Sequence, residues 1–176
     1  AFRLRDVGDA RLNPDGAWVA YTVTTTDVDE ERRQTRLWMG PAEGGDPLPM
    51  TRPHGSVSSP AWSPDNRWLT FTASFGDDDA ETQVWALDRR GGEARPLTDV
   101  EQGVSGYLWS PDGTRLLLSV RDPEPEDSAW TSDRTKPWVV DRLQIKRDRV
   151  GYLTDTRKTH LYVLDVTTGD LRQITG

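Results

Sequence analysis

The chain has 176 residues, 34% of them apolar, with 22 Lys and Arg against 29 Asp and Glu, a net charge of −7. One globular domain accommodates that length, no run approaches the roughly 20 apolar residues of a membrane-spanning helix, so no membrane partner is expected, and the acidic balance argues against a nucleic acid partner, because phosphate binding rests on clustered Lys and Arg. No cysteine is present, which removes disulfides, thiolate metal sites and thiol nucleophiles.

The first turn signal is Asn13-Pro14-Asp15-Gly16, and it returns as Ser63-Pro64-Asp65-Asn66 and Ser110-Pro111-Asp112-Gly113, the prolines 50 and 47 residues apart. Asn or Ser at the first corner, Pro at the second and Gly or Asn at the fourth suit a type I turn. After each turn an alternating stripe predicts a strand: Val19, Tyr21 and Val23, then Leu69, Phe71 and Ala73, then Leu116, Leu118 and Val120. A second run follows in each unit: Leu37-Trp38-Met39, Val84-Trp85-Ala86-Leu87 and Leu161-Tyr162-Val163-Leu164. Gly44-Gly45, Gly91-Gly92 and Thr168-Gly169-Asp170 then suit tight hairpin turns, each leading to a short strand that ends at Met50-Thr51, Leu97-Thr98 or Ile174-Thr175. A further strand precedes each Pro-Asp turn and carries Leu12, Trp62 or Trp109, a recurrence that assigns the position to core packing.

Four antiparallel strands repeated about every 47 residues is the arithmetic of a β-propeller blade. The expected fold is all-β, a partial propeller of three consecutive four-stranded blades at residues 1–51, 52–98 and 99–176, with an insertion at 121–158 in the third. A sandwich is the alternative, but it does not require one turn and one aromatic at the same offset three times. The aromatics Trp38, Trp85 and Tyr162 lie 47 and 77 residues apart, so the third unit carries 30 extra residues. An excursion this long points to function or disorder. Its charges are segregated, with five acids and one base over 121–133 and eight bases against three acids over 134–158. The first part reads as an acidic loop containing Trp130; the second carries Trp138-Val139-Val140 and Leu143-Gln144-Ile145, two runs expected to form an added hairpin.

The units Ser59-Pro60-Ala61-Trp62-Ser63-Pro64-Asp65 and Leu108-Trp109-Ser110-Pro111-Asp112-Gly113, with Val-Trp or Leu-Tyr, Gly-Gly or Thr-Gly, and Leu-Thr or Ile-Thr downstream, resemble propeller blades of the prolyl oligopeptidase family. The opening Leu4-Arg5-Asp6-Val7-Gly8-Asp9 with Leu12-Asn13-Pro14-Asp15-Gly16 is similar to the start of its acylaminoacyl-peptidase-like branch. So is Pro137-Trp138-Val139-Val140-Asp141-Arg142-Leu143-Gln144-Ile145-Lys146-Arg147-Asp148 with Gly151-Tyr152. The Pro-Asp turn alone is shared with unrelated propellers of the bacterial Tol system, and the third-blade insertion is the sharper match. The resemblance implies a seven-bladed propeller over an α/β-hydrolase domain with a Ser, Asp and His triad that cleaves short peptides. Only three blades are represented here, and both Ala1 and Gly176 read as cut ends, so the implied partners are the remaining blades and a hydrolase domain of the same polypeptide, with short peptides as substrate.

Within the chain itself no Gly-x-Ser-x-Gly elbow occurs; Gly103-Val104-Ser105-Gly106-Tyr107 fails at its last position. The two histidines are His54, in a connecting loop, and His160, at the head of a strand. No phosphate loop or metal-ligand spacing appears, and Asp77-Asp78-Asp79 lacks the alternation of a calcium loop, so no catalytic residue, metal or cofactor is assigned. In an antiparallel meander the 27–34 loop, the 77–82 loop and the insertion share one end of the stack, which makes that end the expected partner-facing surface, with Arg142, Lys146 and Arg147 as contact candidates. The expected function is gating: the blades position and filter short peptides for a nucleophile elsewhere. A non-enzymatic protein-binding propeller is the alternative, self-association through open blade faces is a further expectation, and no secretion signal opens the chain, so the expected compartment is cytoplasmic.

Overall fold

The computed structural model describes residues 3–27, 32–52, 56–76, 80–123, 146–147, 151–152 and 157–176. Among these, every regular element is a β-strand. The first sheet is β1 (Arg3–Leu12), β2 (Trp18–Asp27), β3 (Arg32–Pro41) and β4 (Leu48–Pro49); the second is β5 (Val57–Trp62), β6 (Trp68–Ala73), β7 (Gln83–Asp88) and β8 (Arg95–Pro96). The third begins with β9 (Gly106–Trp109) and β10 (Arg115–Arg121), is interrupted by the two-stranded pair β11 (Lys146–Arg147) and β12 (Gly151–Tyr152), and resumes with β13 (Thr159–Asp165) and β14 (Leu171–Gln173). Each four-stranded sheet is an antiparallel meander in chain order, the order of a propeller blade.

The Pro-Asp turns hold the sheets in register by the same three bonds. The first-corner carbonyl accepts the fourth-corner N–H in each (Gly16 to Asn13, Asn66 to Ser63, Gly113 to Ser110), the first-corner side chain accepts the N–H of Trp18, Trp68 or Arg115, and the aspartate accepts the N–H of Ala17, Arg67 or Thr114. The fourth corners are left-handed, φ being 74° at Gly16, 61° at Asn66 and 72° at Gly113, which is why only Gly and Asn occupy them. The Ser110 hydroxyl, donating to Asp112, pulls that carboxyl down to about 2, and Ser63 lowers Asp65 in the same way. At the far end of each sheet the terminal threonine closes the fourth strand: the hydroxyls of Thr51, Thr98 and Thr175 accept the N–H of Leu37, Val84 and Leu161.

The three sheets stack with one polarity. Call the face carrying the apolar stripes leading and the other trailing. The leading face of the second sheet, with Trp62, Leu69 and Phe71, packs on the trailing face of the first, with Ala20, Leu37 and Met39. The leading face of the third sheet, with Leu116, Leu118 and Val120, packs with Val84, Val100 and Val104 of the second. Thr70, fully buried on the trailing face of the second sheet, binds this second interface: Trp109 Nε1 donates to its hydroxyl at 2.9 Å, and the hydroxyl donates to the Ala61 carbonyl at 3.0 Å. The Tyr107 hydroxyl reaches both Thr70 Oγ1 (3.0 Å) and the Ser59 carbonyl (2.9 Å), and burial pushes its pKa well up.

One sequence expectation is corrected here. Leu12 is not a core residue; it holds the place of Trp62 and Trp109 but is 62% exposed, because its sheet has no preceding sheet beneath it. Equivalent positions of the stacked repeats point the same way, so Leu116, Leu118 and Val120 are buried and the outer face of the third sheet presents Leu117, Leu161 and Val163. Inward along the sheets, β5 lies against β1, β2 and β3, and β9 against β5. Outward, the second and third sheets part around a cleft of ≈ 280 Å³ lined by Leu97, Val100, Leu164 and Leu171. The stack is therefore wedge-shaped, as in a propeller.

Candidate functional site

Antiparallel pairing decides which loops share an end. The pairs Asp27 with Arg32, Ala73 with Gln83 and Arg121 with Thr159 are the last rungs before the three middle connections, so all three leave from one end of the stack. The first sheet reaches furthest there, since β1, β2 and β3 have ten residues each against six in β5, β6 and β7, and Arg5, Asp6 and Arg33 are exposed on the extension. The exposed Arg5, Asp6 and Arg33 need no covering sheet, since their charged groups are solvated by water, whereas Thr24 is buried. Thr24 and Thr35 link across the extension through their hydroxyls at 2.9 Å.

The insertion departs from a defined base. Asp122 N–H donates to the Lys158 carbonyl at 2.8 Å, Lys158 N–H donates back to Asp122 Oδ2 at 3.3 Å, and His160 Nε2 lies 3.1 Å from Asp122 Oδ1 with its side chain 13% exposed. The same carboxylate thus ties both ends of the excursion. Sequence reasoning placed His160 at a strand head and missed its partner; the signal lay in the register, since Val120 pairs with His160 and leaves Asp122 just past the last rung.

Of the contact candidates, Arg142 lies outside the described residues. Lys146 and Arg147 form β11, whose backbone pairs with Tyr152 and Gly151 of β12. An added hairpin is therefore present, but its described strands fall after the two apolar runs expected to build it; Trp138-Val139-Val140 and Leu143-Gln144-Ile145 lie outside the described residues, as do Trp130, His54 and Asp77-Asp78-Asp79. The nearest approach to a nucleophile elbow is committed to the sheet, since Ser105 donates both its N–H and its hydroxyl to the Ser119 carbonyl at 2.9 Å. Among the described residues no group of three or more His, Cys, Asp or Glu side chains is placed to hold a metal ion.

At the opposite end, the blade turns are coupled to one another. Asn13 Nδ2 donates to Asn66 Oδ1 at 2.8 Å across the first two sheets, and a side chain at Gly113 would meet the Pro64 ring at 3.5 Å across the next two. On the second sheet Trp68 is flanked by the guanidinium groups of Arg67 and Arg95, each 4.8 Å from its ring centre, and Asp88 pairs with Arg90 at 2.7 Å. That bond to Arg90 holds the Asp88 carboxyl far below the usual carboxylate range. Among the described residues, these hydrogen bonds and ring contacts fix the geometry of the blade turns.

No family model matches the chain. YuxL, an uncharacterized peptidase of Bacillus subtilis (strain 168), is 33% identical over 172 residues, which is 97% of this chain and 26% of that protein. The acylaminoacyl peptidase of Pyrococcus horikoshii superposes with a TM-score of 0.73 at 20% identity, over 97% of this chain and 25% of that one. The chain has a β-propeller blade fold. The β-propeller domain of the trilobed protease from Pyrococcus furiosus, with a TM-score of 0.59 at 13% identity over 99% of this chain and 45% of that one, has the same blade fold. The resemblance to prolyl oligopeptidase blades, of the acylaminoacyl-peptidase-like branch, agrees with both sequence and fold. The chain spans about a quarter of the length of the peptidases it matches.

Proposed function

We propose that this segment is part of an access-limiting propeller that joins a hydrolase domain of the same polypeptide and admits only short peptides to it. The observation that carries the reading is the match to a peptidase along 97% of the chain, which places the whole stack and its insertion within one peptidase-like sequence. The stack supplies what such a filter needs. Its sheets are fixed by turn-to-turn bonds and buried hydroxyl contacts, so the wall is stiff, while the three middle connections share one end where a neighbouring domain can be met. The extended first sheet and the insertion base at Asp122 and His160 border that end, and Arg142, Lys146 and Arg147 are the cations proposed to contact the hydrolase domain or the substrate. The chemical role is exclusion, with cleavage performed by a nucleophile outside these 176 residues.

The test uses the complete gene product assayed on peptides of graded length and on a folded protein. Hydrolysis confined to short peptides, with longer ones admitted once the insertion is shortened between Asp122 and Lys158, is the expected result. A product that hydrolyses nothing but retains a protein ligand supports a binding module instead, and hydrolysis indifferent to substrate size removes the filter.

A further inference from the structure

The fourth strand of each sheet is its outer edge, and the three edges differ at one repeated position. Pro49 and Pro96 stand two residues before the terminal threonines Thr51 and Thr98, and Gln173 stands two residues before Thr175. The N–H groups of Met50, Leu97 and Ile174 are directed inward, to the carbonyls of Leu37, Val84 and Leu161 at 2.8 Å, so the residue before each turns its main chain outward, to the rim. In the first two sheets that residue is proline, which has no N–H to offer another strand and blunts the edge. In the third it is glutamine, and the outward main-chain groups of Leu171 and Gln173 form two rungs on an exposed strand that no other described strand pairs from that side. The Thr175 carbonyl, next in line, is capped by Gln173 Nε2 at 2.6 Å, which ends the open edge there.

Beside this edge lies the cleft between the second and third sheets, walled by Leu97 and Val100 on one side and by Leu164 and Leu171 on the other. Leu171 pairs with the buried Leu164, so its side chain looks into the cleft while its main chain looks to the rim. Both walls belong to this chain, and further blades would stack on the two outer faces of the array, away from this rim. We propose that the β14 edge and the adjoining cleft form a binding site for a separate, extended peptide, which adds a fifth strand to the third sheet and sets alternate apolar side chains into the cleft. Main-chain hydrogen bonds supply the attachment, and the leucine-lined walls select the side chains. A fifth strand from the same polypeptide would break the four-strand repeat that all three sheets keep. The inference concerns the rim and does not rest on the peptidase reading.

The experiment titrates the complete gene product into a fluorescein-labelled peptide of alternating Leu and Thr with a Lys at each end, and reads anisotropy. Saturable binding by the parent is expected. Gln173→Pro, which installs what the first two sheets carry at this position, should weaken it by about tenfold or more with circular dichroism unchanged, the effect of one lost main-chain bond and a blunted edge. Gln173→Ala, which keeps the N–H and uncaps the Thr175 carbonyl, should bind at least as well as the parent. Leu171→Ser, at a position 43% exposed, should weaken binding by removing a wall of the cleft. N-methylation of one alternate set of peptide amides should abolish binding and methylation of the other set should leave it, because successive amides of an extended strand point to opposite sides and one set alone meets the edge. Absence of saturable binding, equal affinity of the parent and Gln173→Pro, or indifference to which set is methylated would each overturn the proposal, as would dimerisation of the parent through this edge that excludes the peptide.

Discussion

Truncating Trp62 to alanine tests the stacking core at the position where the repeat concentrates its burial. The indole is 8% exposed, lies with Leu69, Phe71 and Ala20 between two sheets, and donates its N–H to the Arg11 carbonyl at 3.1 Å. Removing a ring so placed costs its transfer free energy and leaves a cavity, together about 3 to 5 kcal/mol. The hydrogen bond adds little to that sum, because Arg11 is exposed and water can take over its carbonyl. Trp62→Phe separates the two effects, keeping most of the apolar volume and losing the N–H, for about 1 kcal/mol. Leu48→Ala is the control, since a side chain already 55% exposed has little burial to lose. Urea unfolding followed by far-UV circular dichroism gives all three as shifts of midpoint at constant slope. A Trp62→Ala loss below about 1 kcal/mol, or one matched by Leu48→Ala, would show that the repeated tryptophans do not sit between packed sheets, and the reasoning would fail.

Thr70→Val should cost about 1 to 3 kcal/mol by stranding the Trp109 N–H, and adding Trp109→Phe should recover part of it, a coupling readable in a double-mutant cycle; strict additivity would deny the 2.9 Å contact. Asp112 is held down to about 2 from an ordinary 3.8, so its contribution to stability is complete above the ordinary value and is lost as pH falls through the folded one. The stability gap between the parent and Asp112→Ala should accordingly be flat at neutral pH and close between about pH 4 and 2, and a gap that persists at the acid end would contradict the Ser110 bond. Gly103, at φ 70°, would bring a Cβ to 3.1 Å from the Thr82 carbonyl oxygen, so Gly103→Ala should destabilise by about 2 kcal/mol or more in the same urea assay, and a neutral result would place this link elsewhere.

How far the residues announce this architecture depends on how local each signal is. The Pro-Asp turns and the alternating stripes are legible because turn chemistry and a two-residue period act within a few positions of the chain, and the threonines at 51, 98 and 175 recur for the same reason. The orientation of the stripes is not legible that way. Whether Leu12 or Trp62 is covered depends on the sheet beneath, which no pattern within the strand encodes, and the equivalence of the two positions conceals the difference. Likewise the Asp122 and His160 pair joins residues separated by the whole insertion and becomes visible only once register is known. The Asn13 to Asn66 bond left a fainter trace, in that adjacent turns carry Asn where the third carries Ser and Gly. The added hairpin was expected at its most apolar runs, yet the described strands fall on Lys146–Arg147 and Gly151–Tyr152, where backbone pairing and not burial is what the structure shows.

The wedge-shaped stacking of the sheets is the claim on which the rest stands, and distances between spin labels measure it directly. Labels at Ser58→Cys and Leu108→Cys report the inner strands of the second and third sheets, and labels at Arg95→Cys and Arg172→Cys report their outer strands; all four positions are exposed, and the chain has no native cysteine to interfere. Sheets that converge at β5 and β9 and part around the outer cleft predict a shorter inner distance than outer distance. Equal distances, as sheets stacked in parallel layers would give, or a longer inner distance, would contradict a propeller arrangement.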